Sequence, residues 1–168
     1  VATEACRTAK NRDEFVRKVF DETGIELKII NPDEESRLAL QACSALLDER
    51  PYAVVFDIGG GSTEICWIKV DNMGQTQCIE TLSMPCGVLC LTERYAGIEQ
   101  RRERFEAMRT EIRDRLRDFA SRNCCSDILD DGKVQMVGTS GTVTTFCGIA
   151  LGLERYERHK VDGSDLRF

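Results

Sequence analysis

Eight consecutive residues carry most of the chemistry in this chain: Asp57-Ile58-Gly59-Gly60-Gly61-Ser62-Thr63-Glu64, directly after the apolar run Tyr52-Ala53-Val54-Val55-Phe56. Three glycines in a row leave a strip of backbone with no Cβ, so a bulky anion can approach the N–H groups. Ser62 and Thr63 add hydroxyl donors. Asp57 and Glu64 bracket the turn with carboxylates, which suit a hard divalent cation that also meets phosphate oxygens. A tight hairpin turn with exposed acids fits the glycines alone. The full set of acid, triplet, two hydroxyls and acid after a buried strand favours phosphate binding. Neither G-x-G-x-x-G opening a helix nor G-x-x-x-x-G-K-[ST] occurs, which excludes the dinucleotide fingerprint and the P-loop.

A second glycine-hydroxyl run, Gly138-Thr139-Ser140-Gly141-Thr142, stands between an apolar strand and a helix. Free N–H groups and the positive dipole end at a helix start suit an anion, although a capped helix with a glycine needs no ligand. Asp33, Glu34 and Glu35 crowd the first turn of another helix, where carboxylates also simply complement the dipole.

The elements that must position these residues follow from periodicity and punctuation. Asn11 with Glu14 forms a capping-box-like start, Phe15, Val16, Val19 and Phe20 give an apolar stripe, and Gly24 is a left-handed stop. Ile25 to Ile30 reads as a short strand. Asn31 caps a helix with Pro32 at its first position, whose expected buried face is Leu38, Ala39, Ala42, Ala45 and Leu46. Strands follow at Tyr52–Phe56, Thr63–Val70 and Gln77–Met84, with a turn at Asp71-Asn72-Met73-Gly74. Ile98 to Phe119 is a long amphipathic helix marked by Phe105, Met108, Ile112, Leu116 and Phe119. A polar turn around Asp130 to Gly132 leads to a strand at Val134–Val137 and a helix ending near Gly152. The mixture predicts an α/β fold, a mixed sheet with flanking helices.

Composition narrows the function classes. The chain has 168 residues, 42% hydrophobic and 31% charged, which supports a folded core. A net charge of −6 argues against wrapping nucleic acid or lying on an anionic membrane. No apolar run reaches the roughly 18 to 20 residues that span a bilayer. The start, Val1-Ala2-Thr3-Glu4-Ala5, has neither Met nor a signal pattern and reads as the middle of a longer chain. The single histidine, His159, argues against Ser-His-Asp chemistry and His-rich metal sites. Nine cysteines without any C-x-x-C predict reduced thiols packing as small hydrophobes in a cytoplasmic protein.

The order of Thr3-Glu4-Ala5-Cys6-Arg7-Thr8-Ala9-Lys10-Asn11, Asn31-Pro32-Asp33-Glu34-Glu35-Ser36-Arg37-Leu38, Asp57 to Glu64 and Gly138 to Thr142 resembles the Ppx/GppA phosphatases. These are exopolyphosphatases and guanosine pentaphosphate phosphohydrolases of the actin/heat-shock/sugar-kinase ATPase superfamily. The resemblance implies two ribonuclease-H-like (actin-like ATPase) lobes with the active site between them. Residues 1–50 would be the later part of the first lobe, and 51–168 the first part of the second. The family's first phosphate loop has no counterpart here, which marks the chain as a fragment of a two-lobed protein. By resemblance Glu35 activates the attacking water and Asp57 and Glu64 hold Mg²⁺. Arg7, Gly59, Gly60, Gly61, Ser62 and Thr63 meet phosphate, with Gly138, Ser140, Gly141 and Thr142 in a supporting loop. The implied substrate is polyphosphate or guanosine pentaphosphate and the implied assembly a homodimer, with no nucleic-acid or membrane partner. Two rival readings remain at this point, a nucleotide-dependent ATPase or kinase of the same superfamily and a non-catalytic polyphosphate- or alarmone-binding fragment.

Overall fold

The strand that precedes the glycine triplet, β1 (Tyr52–Ile58), lies inside a four-stranded sheet of order β3-β2-β1-β4. β2 (Thr63–Val70) and β3 (Thr76–Met84) continue it as an antiparallel meander, and β4 (Val134–Thr139) pairs with β1 in parallel. Helices α1 (Glu4–Thr8), α2 (Arg12–Thr23) and α3 (Pro32–Cys43) precede the sheet. Then come α4 (Val88–Arg94), α5 (Arg101–Arg122), α6 (Ser140–Ala150) and α7 (Arg158–Val161). This computed structural model describes residues 1–123, 128–129 and 131–166. Cys124, Cys125, Asp130 of the expected turn and the last two residues lie outside the described residues.

The sheet is a mixed one with helices on both faces, as an α/β chain requires when each sheet face must leave water. One core joins Leu40 and Cys43 of α3 to Ala53, Val55, Cys66, Ile68, Val70 and Val137. The other face packs Ile65, Trp67, Met84 and Val134 against Leu91 of α4 and Phe119 of α5. There Tyr52 and Trp67 stack at 5.4 Å with an 8° interplanar angle. Such an aromatic pair adds about 1 kcal/mol to its burial. α3 therefore shares a core with the strands.

Four local expectations are corrected. Ile25 to Ile30 makes no strand, because its backbone finds only the single parallel bridge between Ala2 and Ile29, and one bridge cannot sustain a ladder. Asn11 caps α2 with no side-chain hydrogen bond, since its backbone is not extended as a capping residue's must be (φ −102°, ψ 23°). In α3 the buried residues are Ser36, Leu40 and Cys43, while Leu38 and Ala42 are exposed, as are Ala45 and Leu46 just beyond its end. Both faces of that helix carry apolar residues, and the face with Leu40 and Cys43 packs on the sheet. Phe105 of α5 is also exposed, so its packed stripe begins at Met108.

Of the described cysteines, Cys43, Cys66, Cys86 and Cys147 are buried, Cys6 and Cys90 partly buried and Cys78 exposed, all as free thiols. No described helix is long and apolar enough to cross a membrane.

Candidate active site

The glycine triplet forms the turn between β1 and β2, closed by the Gly59 N–H donating to the Ser62 carbonyl at 3.0 Å. Its carbonyls are tied down from one side by the start of α4. Val88 N–H donates to Gly59 O at 3.0 Å, Leu89 N–H to Gly60 O at 2.9 Å, and Gly87 N–H to Gly61 O at 3.2 Å. These bonds satisfy donors that a helix start otherwise leaves unpaired. They also orient the loop. In a planar trans peptide the N–H points opposite to the preceding carbonyl, and no peptide among the described residues is cis. With the carbonyls of Gly59, Gly60 and Gly61 aimed at α4, the N–H groups of Gly60, Gly61 and Ser62 all point the other way. Among the described residues they have no backbone acceptor. Three adjacent N–H groups with a common direction form an anion-binding concavity.

The two carboxylates of the motif sit at the foot of this turn. Asp57 and Glu64 are direct cross-strand partners, so both side chains leave the sheet on the face that α3 covers. Like charges directly opposite are unfavourable. Burial pushes the Asp57 carboxyl above its ordinary value, the Ser140 hydroxyl pulls it back, and the charge of Glu35 raises it again. Glu64 is only 3% exposed. Burial raises it too, Ser62 opposes, and Glu35 and Asp57 add to the rise, although Ser83 Oγ donates to Glu64 Oε1 at 3.0 Å. The chemistry of this donor set fits Mg²⁺, which takes one or two carboxylates and completes its shell with water and substrate oxygens. Among the described residues no group of three or more His, Cys, Asp or Glu forms a full protein cage, and Mg²⁺ does not need one.

Glu35 reaches this face from α3. Asn31 Oδ1 accepts from Glu34 N–H at 2.8 Å, Pro32 holds the first helical position, and Thr81 Oγ1 of β3 donates to Asp33 Oδ1 at 3.1 Å. The first turn is thus fixed to the sheet edge, and Glu35 Oε2 accepts from Arg7 Nη1 at 2.8 Å. Ser36, the next residue, is buried with a hydroxyl that has no protein partner among the described residues. Arg7 is the contact the resemblance placed on phosphate. Burial alone would lower its guanidinium pKa, but Glu35 and Glu4 outweigh that and raise it.

The second glycine loop closes the arrangement. β4 pairs with β1 so that Thr139 stands opposite Asp57, and Ser140 follows in the left-handed region at φ 76°. Gly138 has a packing reason, since a Cβ there would lie 2.6 Å from the Phe56 ring and 2.8 Å from Val143. Gly59, Gly60, Ser140, Gly141 and Thr142 line one cavity of about 720 Å³, whose apolar wall is Ile58, Val88, Phe146 and Ile149. The structure therefore brings both loops to one cavity and the three carboxylates within electrostatic reach of each other.

One residue of this machinery escaped the sequence. Gly87 is buried under the triplet, and a Cβ on it would stand 2.3 Å from Gly60 O. Its only signal was a glycine directly before an apolar helix.

Comparison with known proteins follows the same lines. The model of the Ppx/GppA phosphatase family matches residues 1–160. A bifunctional 3-dehydroquinate synthase/phosphatase of Fusobacterium nucleatum is 31% identical over 175 residues, 98% of this chain and 24% of that protein. Retrograde regulation protein 2 of Saccharomyces cerevisiae is 28% identical over 134 residues, 79% of this chain and 22% of that one. The Aquifex aeolicus PPX-GPPA enzyme superposes with a TM-score of 0.68 at 28% identity, over 95% of this chain and 48% of its own. An exopolyphosphatase-like protein gives a TM-score of 0.72 at 26% identity, over 91% and 46%. The chain spans about half the length of these solved structures and about a quarter of the curated relatives.

Proposed function

We propose, from the premise that this chain belongs to the Ppx/GppA phosphatase family, that it supplies the working half of a phosphoanhydride hydrolase. The reaction is release of the terminal phosphate from inorganic polyphosphate or guanosine pentaphosphate in the cytoplasm. The observation that supports it best is the set of Gly60, Gly61 and Ser62 N–H groups, held in one direction beside the paired Asp57 and Glu64. A phosphoryl group in transfer carries its charge on equatorial oxygens, and fixed backbone donors stabilise that charge without reorganising.

Glu35 takes the proton from the attacking water, and Arg7 fixes the direction of its carboxylate. Asp57 and Glu64 are the residues that would hold Mg²⁺, which when bound supplies positive charge to the phosphate oxygens. Thr63 keeps β2 in place by donating to Cys86 O at 3.2 Å. Ser140, Gly141 and Thr142 form the second wall, where the rest of an extended substrate would lie, and Gly138 lets that loop pack close to Phe56 behind it. The lobe division after residue 50 and a homodimeric assembly belong to the same reading.

The test uses the full-length protein that contains this chain, with polyphosphate and guanosine pentaphosphate as substrates. Glu35→Gln is expected to lower kcat for phosphate release by about 100-fold or more, with an unchanged circular dichroism spectrum. Retained turnover in that variant would remove Glu35 from the role.

A further inference from the structure

We infer that Glu4 is a positioning residue that holds Arg7 in place as the orienting partner of Glu35, an inference that rests on the hydrolase reading above. Arg7 carries five N–H donors in a fixed planar fork. Glu4 Oε2 accepts from Nε at 3.3 Å and from Nη2 at 3.0 Å. Nη1 donates to Ile30 O at 2.8 Å and to Glu35 Oε2 at 2.8 Å. Four of the five donors are therefore engaged within the chain. The side chains of Glu4, Arg7 and Glu35 are 27%, 15% and 17% exposed, so water competes weakly for these bonds.

Glu4 does more than pair with its own helix. Its stem lies on the phosphate loop, where a Cβ added to Gly61 would come within 2.8 Å of Glu4 Cγ. One side chain thus touches the anion-binding turn with its methylenes and the orienter of Glu35 with its carboxylate. With two carboxylates on one guanidinium, the Arg7 cluster already carries net negative charge. It attracts an incoming phosphate far less than a free arginine would. Arg7 here serves Glu35 first, and phosphate is left to the backbone donors and to the cation that Asp57 and Glu64 would hold.

Glu4→Ala, Glu4→Gln and Glu35→Gln are compared in the full-length protein by kcat and KM for phosphate release from polyphosphate. Glu4→Ala is also crystallised. Glu4→Ala is expected to lower kcat about ten-fold with KM within about two-fold, because an unanchored base loses its alignment. Glu4→Gln keeps an oxygen acceptor for Nε–H and should recover most of that loss. In the Glu4→Ala crystal Arg7 should turn away from Glu35. An unchanged kcat in Glu4→Ala, a fall in its KM as Arg7 is released to phosphate, or a loss fully shared by Glu4→Gln overturns the assignment. If Glu35→Gln keeps full turnover, the hydrolase reading of Glu35 is what fails. The crystal still decides Glu4 in that case: Arg7 remaining on Glu35 without Glu4 overturns the positioning role, and Arg7 displaced upholds it.

Discussion

The two glycine-hydroxyl loops look alike in sequence and are built on opposite principles. Gly59 to Thr63 joins antiparallel strands, and what comes close to its glycines is Ser62 O at Gly59, the Leu89 side chain at Gly60 and the Glu4 stem at Gly61. Gly138 to Thr142 joins a strand to a helix, and its first glycine is needed because a ring comes close, while a Cβ on Gly141 would meet open space. The first loop is held from behind by four N–H groups of residues 87–90 on its three glycine carbonyls, which frees a row of N–H groups in front. The second is held from within its own helix, where the Thr144 and Thr145 hydroxyls donate to Ser140 O and Gly141 O, and it carries a serine in a strained conformation. A glycine run becomes an anion cradle when something fixes its carbonyls. Composition alone does not do it.

The sharpest break of this contrast is Gly87→Ala against Gly138→Ala. At Gly87 the new methyl group meets backbone, Gly60 O at 2.3 Å and Gly61 C at 2.6 Å, which cannot swing aside. We expect a loss of about 3 kcal/mol and of phosphate release together, read by thermal denaturation and by assay of the full-length protein. At Gly138 the methyl group meets the Phe56 ring and Val143, side chains able to shift, so about 1.5 kcal/mol is expected. Equal costs at the two sites would mean that α4 is not what sets the first loop.

The support of α4 gives the next test. Glu111 of α5 accepts from Arg94 Nη1, from Tyr95 Oη at 2.9 Å and from Arg115 Nη2 at 3.1 Å. Burial would raise its carboxyl, but these donors prevail and hold it at about 2. A carboxylate depressed on folding contributes stability above its unfolded value of 4.5, and that stability is lost as pH falls from there through about 2. Arg94 is 38% exposed, so solvent screening reduces the contribution to about 1 kcal/mol. Glu111→Gln should flatten the decline of Tm between pH 5 and pH 2 and weaken the first loop more than the second.

Much of this site was legible because it is local. A triplet of glycines between acids states its own backbone requirement, and Asn31-Pro32 states a helix start that brings Glu35 to the sheet edge. The illegible parts depend on distant chain. Gly87 matters only because α4 folds back on residues 59–61, and the use of Arg7 is decided by Glu4, Ile30 and Glu35 together. The helix faces failed for another reason: α3 is apolar on both sides, and periodicity cannot say which side meets the sheet. The stretch from Ile25 to Ile30 has strand composition without a partner, and a strand is a property of pairs.

The smallest effect isolates the second loop. Ser140 at φ 76° bears a cost of about 1 kcal/mol or more that glycine would not. Glycine returns part of that gain through the entropy of its unfolded chain, so Ser140→Gly should stabilise by about 0.5 kcal/mol, or about 1 to 2 °C in Tm. The same change removes the hydroxyl that holds the Asp57 carboxyl down. Its folded value then rises further above the unfolded one, and stability should decline more steeply as pH increases through that range. Ser140→Ala separates the two effects, since it loses the hydroxyl and keeps the strain. If the strained backbone matters to the site, Ser140→Gly loses phosphate release more than Ser140→Ala despite its higher Tm. If the hydroxyl matters, the two variants lose it equally and differ only in Tm.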